Sequence, residues 1–339
     1  MSKAAKNLGA VCVIVLTALL IVGQAKGDEQ EAVMLSRHTP AGEVRFVEMN
    51  DDIETSSRGG FYGEEGVTRK SSRLRTVKRE FDKGASDGAS RVTLTFDRVA
   101  MFTETAQAPA QFDSDVDDPT DDINPLAAAL GPMLGQSLQF TLNDKGRVVE
   151  SKGVDELYAA VEESAAGGMI FVQLEEELAD ARLRFYWDDS HACLYPNKKV
   201  KVGDTWEATS VQPSLYQKDI LRTYQCKVEF IGEREGRPVV DIAYDVKLKE
   251  MDDNKGKARM FGISMSLKDG QASGKATYDV KDGEFVTQTE ELTMNLAGTT
   301  DGTKPGDKED VAANIKTVHT MTVVSEAARA AQRKPKNSD

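Results

Sequence analysis

Val240, Ile242, Tyr244, Val246 and Leu248 alternate with Asp241, Ala243, Asp245, Lys247 and Lys249. Successive side chains of an extended strand point to opposite faces, so this run predicts a strand with one buried and one wet face. Phe261, Ile263, Met265 and Leu267 repeat the pattern with Ser264 and Ser266 outward, and an antiparallel sheet solvated on one side follows. Turn residues join such runs into hairpins. Leu138, Phe140 and Leu142 lead into Asn143 to Gly146 and then Arg147 to Ser151, while Tyr278 and Val280 lead through Lys281, Asp282 and Gly283 into Glu284 to Leu296. Each turn has glycine where a left-handed residue is needed. The face carrying Val92, Leu94 and Phe96 continues with Val99 and Met101, an odd step at Asp97-Arg98 that predicts a bulge and a bend in the sheet.

In one region the period changes. Val154, Leu157, Tyr158 and Val161 fall at helical spacing, and after Gly167-Gly168 so do Ile170, Leu174 and Leu178, with Glu175 to Glu177 and Asp180 between. Two amphipathic helices with a glycine joint follow, a helical insertion over 153–184 whose apolar stripes must cover the sheet. A short helix over Leu126 to Leu130 is entered through Asn124-Pro125, proline being suited to a first helical turn. Gly298 to Lys308 carries no apolar residue and reads as a surface loop, after which Ile315, Thr317, His319, Met321 and Val323 share one face of a last strand. The polar residues 326–339 read as a fraying tail. The fold class is therefore α+β, mainly β: a curved antiparallel sheet, half-barrel-like, with two amphipathic helices packed on one face, forming a single domain over 26–325.

Composition changes the picture at the N-terminus. Lys3 and Lys6 precede an uncharged apolar run from Ala10 to Gly23, closed by the small-x-small triplet Gly23-Gln24-Ala25. That order predicts a secretory signal peptide over 1–25, cleaved after Ala25, with retention as an N-terminal anchor the alternative. The run is shorter than the roughly 20 residues of a spanning helix, and no other long apolar run follows. Cys12 lies inside it and cannot carry a lipid on a mature first residue. Loss of Lys3 and Lys6 takes the formal charge from -13 to -15, a surface that repels nucleic acid and anionic lipid. The expected location is secreted or periplasmic. Cys193 and Cys226 remain, and an oxidising compartment predicts a disulfide between them, worth about 3 to 4 kcal/mol. A competing reading adds His191 as a third metal ligand, though the spacing matches no recognised zinc pattern.

The densest acid is FDSDVDDPTDD, residues 112–122. Laid on an EF-hand loop, Asp113, Asp115 and Asp117 fit the first ligand positions. However, Asp118 stands where glycine is required, Pro119 follows at the seventh place, and Asn124 replaces the bidentate Glu. Two readings remain, a low-affinity calcium site on Asp113, Asp115, Asp117 and Asp118, or a solvated connector between a strand ending near Thr105 and the helix at Pro125. In YPNKKVKVGDTWEA, 195–208, Gly203 and Asp204 form a turn and Trp206 anchors the next strand, with Lys198, Lys199 and Lys201 on a wet edge. The histidines are His38, His191 and His319. His319 shares an apolar strand face and reads as a hydrogen-bonded core residue rather than a base. No nucleophile elbow, phosphate loop or His-x-x-x-His pair occurs, so no catalytic residue and no cofactor is assigned. A carboxylate pair of the glycosidase kind remains the enzymatic alternative.

The signal-like N-terminus, the Phe-Asp-Ser-Asp stretch at 112–115, LGQSLQFTLNDKGRVVESKGVDEL (134–157), VKVGDTW (200–206) and GKATYDVKDGEF (274–285) together resemble an uncharacterised family of bacterial secreted proteins and lipoproteins, catalogued as a domain of unknown function. The resemblance covers roughly 35–325 and implies no activity. The functional expectation is a non-enzymatic extracytoplasmic protein that binds an apolar ligand between sheet and helices or an envelope partner; the alternatives are a secreted hydrolase or a calcium-dependent binding module. Leu157, Val161, Leu174, Leu178, Met265 and Met294 are the candidate apolar lining, with Met251, Met260 and Met321 as further soft residues that serve equally as core filler.

Overall fold

The computed structural model describes residues 32–37, 42–82, 90–104, 109–143, 146–164, 178–214, 218–252, 264–301 and 308–333. Its strands are β1 (Val33–Leu35), β2 (Val44–Gly59), β3 (Val67–Phe81), β4 (Ser90–Thr103), β5 (Ala110–Asp113), β6 (Ser137–Leu142), β7 (Val148–Lys152), β8 (Lys198–Val200), β9 (Thr205–Gln212), β10 (Ile220–Arg234), β11 (Arg237–Glu250), β12 (Ser264–Asp279), β13 (Glu284–Asp301) and β14 (Lys308–Val324). The helices are α1 (Pro125–Leu130), α2 (Val154–Ser164), α3 (Asp180–Arg184), α4 (Ser190–Ala192) and α5 (Glu326–Gln332), with a π-helical turn over Phe185–Asp189 joining α3 to α4.

A 12-stranded antiparallel sheet runs in the order β7-β6-β4-β3-β2-β14-β13-β12-β11-β10-β9, with β5 on β4. The order explains the architecture. From β2 the chain steps outward to the edge strand β7; from β9, the opposite edge, it steps back until β14 pairs with β2. The connection from β7 to β9 must therefore cross the whole sheet, and the helical insertion is that connection. Its apolar side packs on the concave face, where Val92, Leu94, Phe96, Val240, Ile242 and Tyr278 are buried in one core with Leu157, Leu183 and Leu194. The sheet is curled but not closed.

The predicted hairpins and the bulge are present. Register shifts where Phe96 and Arg98 oppose Val77 and Thr76, so Asp97 is the extra residue, and Gly146 and Gly283 take left-handed conformations. Asn124 caps α1 by accepting from the Leu126 amide at 3.0 Å. Three expectations are corrected. The ends of the stretch 298–308 are strand, since Gly298, Thr299 and Thr300 pair with Val311, Asp310 and Glu309, while 302–307 lie outside the described residues. Helical structure passes residue 184 to Ala192 because Phe185 reaches the core. The tail forms α5, capped by Ser325, because Arg329, 1% exposed, finds two carboxylates below it. The predicted second helix up to Glu177, its Gly167-Gly168 joint, Met260 and the signal segment lie outside the described residues.

Candidate ligand site beneath the crossing helix

The crossing segment is stitched to both edges of the sheet by polar contacts. At the β7 rim Asp180 and Arg184 both bond the Ser151 hydroxyl, Arg184 at 2.9 Å. The buried Asp188 carboxylate accepts from Arg147 Nε at 3.1 Å, from the Val148 amide at 2.8 Å and from Arg37 at 2.8 Å. At the β9 rim Arg182 donates to the Pro213 carbonyl at 3.0 Å, and Trp206 Nε1 donates to the Cys193 carbonyl at 3.0 Å. The Arg222 guanidinium of β10 lies 5.7 Å from the centre of the Phe185 ring. One short helix thus touches both ends of the strand order, which requires the sheet to curl around it.

Under this segment lie two cavities of about 40 Å³ each, both walled by Trp187 and Met49. The first adds Phe96, Val99, Met101, Leu178 and Leu183; the second adds Val47, Phe140, Tyr195 and Phe285. Pockets that hold small molecules run to about 300–1,000 Å³, so each of these voids is smaller than such a pocket, and Trp187 and Met49 border both. Trp187 sits on the π-helical turn, a rare geometry that recurs at functional sites. Beside the second cavity Tyr278 packs edge to face on Tyr195 and on Phe285, and the Tyr195 and Phe285 rings are tilted with centres 4.7 Å apart.

A polar line crosses the concave floor. Glu290, His319, Asp51 and Arg73 are consecutive register partners on β13, β14, β2 and β3. Arg222 reaches Glu290 at 2.5 Å. His319 Nδ1 lies 2.6 Å from one Asp51 oxygen, and Arg75 donates to the other at 2.5 Å. Burial would raise the Asp51 carboxyl, but the His319 hydrogen bond and the charges of Arg75 and Arg73 hold it well below the usual carboxylate range. Tyr244 lies over Gly274, where any Cβ would stand 2.3 Å from its ring, and its hydroxyl accepts from Gln288 at 2.8 Å. Burial keeps the Tyr224 and Tyr244 phenols protonated by raising them above their ordinary value. Guanidinium and phenol donors at the edge of an apolar trough are the chemistry of binding and orientation.

The predicted residues distribute as follows. Leu178 lines the first cavity, whereas Leu157 and Val161 are fully buried against the core and line neither. Met265 and Met294 lie half-buried near the far end of β12 and β13, Met294 opposite Gly270 and Ile315, and Leu174 lies outside the described residues. Cys193 and Cys226 are buried neighbours with free thiols, Cys226 Sγ 4.0 Å from the Cys193 carbonyl; burial, then Cys193, pushes the Cys226 thiol up to about 12. Gly203 is left-handed, Asp204 accepts from the Lys201 amide at 2.9 Å, and Trp206 packs against the core. In the acidic block Asp115 takes Arg329 on both oxygens, at 2.6 and 2.8 Å, and Asp113 takes Arg98 at 2.6 and 3.0 Å. Asp117 and Asp118 accept backbone amides of the same loop. Among the described residues no group of three His, Cys, Asp or Glu is placed to hold a metal ion. The aromatic triplet Phe185-Tyr186-Trp187 is a sequence signal for this turn, three adjacent aromatics in a chain with 6% aromatic residues.

The profile of a family described as "Family of unknown function (DUF6263)" matches residues 87–286. No curated protein matches. Among solved structures, a lipovitellin studied for lipid-protein interactions aligns at 9% identity and a TM-score of 0.41, covering 89% of this chain and 26% of its own, so the chain spans about a quarter of it. DynF from the dynemicin biosynthesis pathway of Micromonospora chersina aligns at 10% identity and 0.20, covering 90% and 93%. An outer membrane channel from Pseudomonas putida F1 aligns at 8% and 0.21, covering 88% and 98%. No helix among the described residues is long and apolar enough to cross a membrane.

Proposed function

From a chain that belongs to DUF6263, a family whose description names no activity, we propose a non-enzymatic extracytoplasmic binding protein, seen closed, whose apolar ligand occupies the concave trough when the crossing helix is displaced. The observation that carries the reading is Trp187, which borders both voids from a π-helical turn. The contacts that hold the turn at the rims are polar and regain water when broken, so displacing it costs far less than parting a strand ladder. A ligand that buries the same apolar walls offsets the loss of Leu183, Phe185 and Trp187 from them.

The signal-like N-terminus supports export, and export supports a disulfide between Cys193 and Cys226, two thiols yielding two protons and two electrons to the oxidant of that compartment. Because Cys193 ends the crossing segment and Cys226 belongs to β10, the bond would tether the displaced helix at one end. Intact mass before and after reduction reads this directly, and two free thiols in freshly exported protein would reject it.

The binding reading is tested in a Trp206→Phe background, where Trp187 is the remaining fluorophore. Titration with oleate should move the Trp187 emission saturably, and native mass spectrometry should show one bound molecule. Unchanged emission with no bound species would overturn the reading.

A further inference from the structure

We infer that the ligand of this trough is a neutral amphiphile whose hydroxyl-bearing headgroup is held by Ser210, Arg222, Tyr224 and Gln288. The inference rests on the trough reading above and supplies the polar end of the ligand. All four side chains belong to residues at least nine-tenths buried. Nevertheless Ser210 Oγ, Arg222 Nε, Tyr224 Oη and Gln288 Oε1 have no hydrogen-bond partner among the described residues. Buried polar atoms are paired as a rule, and an unpaired one costs stability.

The four atoms belong to one patch of the concave face. Ser210 and Arg222 are register partners on β9 and β10. Tyr224 lies on the same face of β10, its ring centre 5.4 Å from the Arg222 guanidinium and 6.0 Å from the ring centre of Tyr244 on β11. The Tyr244 phenol meets Gln288 of β13 by reaching across β12, which the missing side chain of Gly274 permits. The Ser210 and Tyr224 hydroxyls are near enough to interact, but two facing hydroxyls use one O–H between them and leave the other over.

The charges of the patch are already matched. Arg222 gives one nitrogen to Glu290 at 2.5 Å and another to Gln212 at 3.1 Å. An anionic head would draw Arg222 from Glu290, and a cationic head would draw Glu290 from Arg222, each weakening a buried pair. The groups left over are the Arg222 Nε–H, a hydroxyl donor and the Gln288 carbonyl, an acceptor. Burial keeps the Tyr224 phenol protonated, so it remains a donor. A ligand hydroxyl answers both kinds at once, accepting from the guanidinium or phenol and donating to Gln288. Access follows the crossing segment. Phe185 covers Arg222 at 5.7 Å, and Trp187 of the same turn borders both cavities, so one displacement uncovers the headgroup site and the tail trough. Gln288 is the register partner of Met321, which lines the second cavity, so the floor runs from one to the other.

The test titrates 1-monooleoylglycerol, oleate and cis-9-octadecene into the purified full chain carrying Trp206→Phe, with Trp187 emission as the signal. The monoglyceride should bind roughly tenfold or more tightly than the other two, the size expected of two new hydrogen bonds. Tyr224→Phe should cut monoglyceride affinity about fivefold and leave the alkene unchanged. It should not lower the melting temperature of the ligand-free protein, because the hydroxyl removed is an unpaired one. A phenol with a merely structural role would move stability and leave the preference alone. If Tyr224→Phe does not fold, Ser210→Ala carries the same comparison. Equal affinity for monoglyceride and alkene, or a preference untouched by these substitutions, would show that water alone pairs the four atoms, overturning the headgroup assignment and leaving the trough standing. Oleate binding as tightly as the monoglyceride would overturn the neutral head, and failure of every tailed probe to bind would remove the trough reading with it.

Discussion

The acidic loop at 112–122 and the π-helical turn at 185–189 invite comparison because each holds acid beside aromatic or apolar side chains and each borders a cavity, the loop one lined by Phe112, Asp113, Val116 and Asp117 and the turn two smaller ones walled by Trp187 and Met49. In the loop the described carboxylates satisfy the loop itself and its two arginines. Asp113 holds Arg98, Asp115 holds Arg329, and Asp117, Asp118 and Asp121 accept amides of their own turn. In the turn, Asp188 is equally engaged, but its neighbour Trp187 borders two voids. A dense run of one residue type is thus no guide to a site. The useful signal is a segment that topology obliges to cross an apolar face which its side chains do not fill.

The largest expected effect falls on the packed core. Leu157→Ala should cost about 2–5 kcal/mol through transfer and cavity energy together. Trp187→Ala should cost less than the roughly 3–5 kcal/mol usual for a buried aromatic, because the loss is bounded by the free energy of closing one segment. Oleate should return part of it as a raised melting temperature. Equal losses at the two positions would make the crossing helix part of one indivisible core.

The loop comes next. Arg329→Met should cost up to about 3 kcal/mol in chemical denaturation, because Asp97 and Asp115 lose their buried partner and keep only Arg333 and Arg98. Asp115→Asn should follow the same direction, which makes Asp115 a fastener of α5. A near-neutral Arg329→Met would put the loop back among candidate sites.

Acid supplies a smaller test. The Asp51 and Asp113 carboxyls are held below their usual range, Asp51 through His319 and Arg75, Asp113 through Arg98, in each case against burial. Their contribution to stability is complete above the unfolded carboxylate range, about 4, and is lost as pH falls toward the depressed folded values. Asp51→Asn should flatten the acid limb of the stability curve below about pH 4; an unchanged limb would show that the Asp51 pairs contribute nothing. The smallest effect belongs to Asp118→Asn, within about 1 kcal/mol because its bonds to the Thr120 amide and hydroxyl are exposed. Millimolar calcium should leave the melting temperature of both proteins where it was. A calcium shift that disappears in Asp118→Asn would restore the ion site.

Much of the fold was legible because alternation survives on β11 and β14, and because Asn124-Pro125, Gly146 and Gly283 are local devices that act without tertiary help. The order of the strands was not, since no local pattern states that β14 returns to β2. The polar ends of β13 and β14 were misread for want of apolar residues, although backbone pairing needs none. The site was least legible. Arg73, Arg75 and Arg79 occupy inward positions of β3, paired with Asp51, Met49 and Arg45, so polar side chains stand where an apolar face is expected. The π-helical turn around Trp187 keeps neither of the two periods by which elements are recognised.

Hydrogen exchange of backbone amides compares the two regions in one experiment. If the crossing segment is a displaceable lid, the amides of 180–192 should exchange by a local opening well below the global free energy, while those of α1 and α5 around the acidic loop exchange only with global unfolding. Oleate should slow the first set and leave the second unchanged. Exchange of 180–192 at the global rate, unaltered by oleate, would contradict the lid and the ligand together.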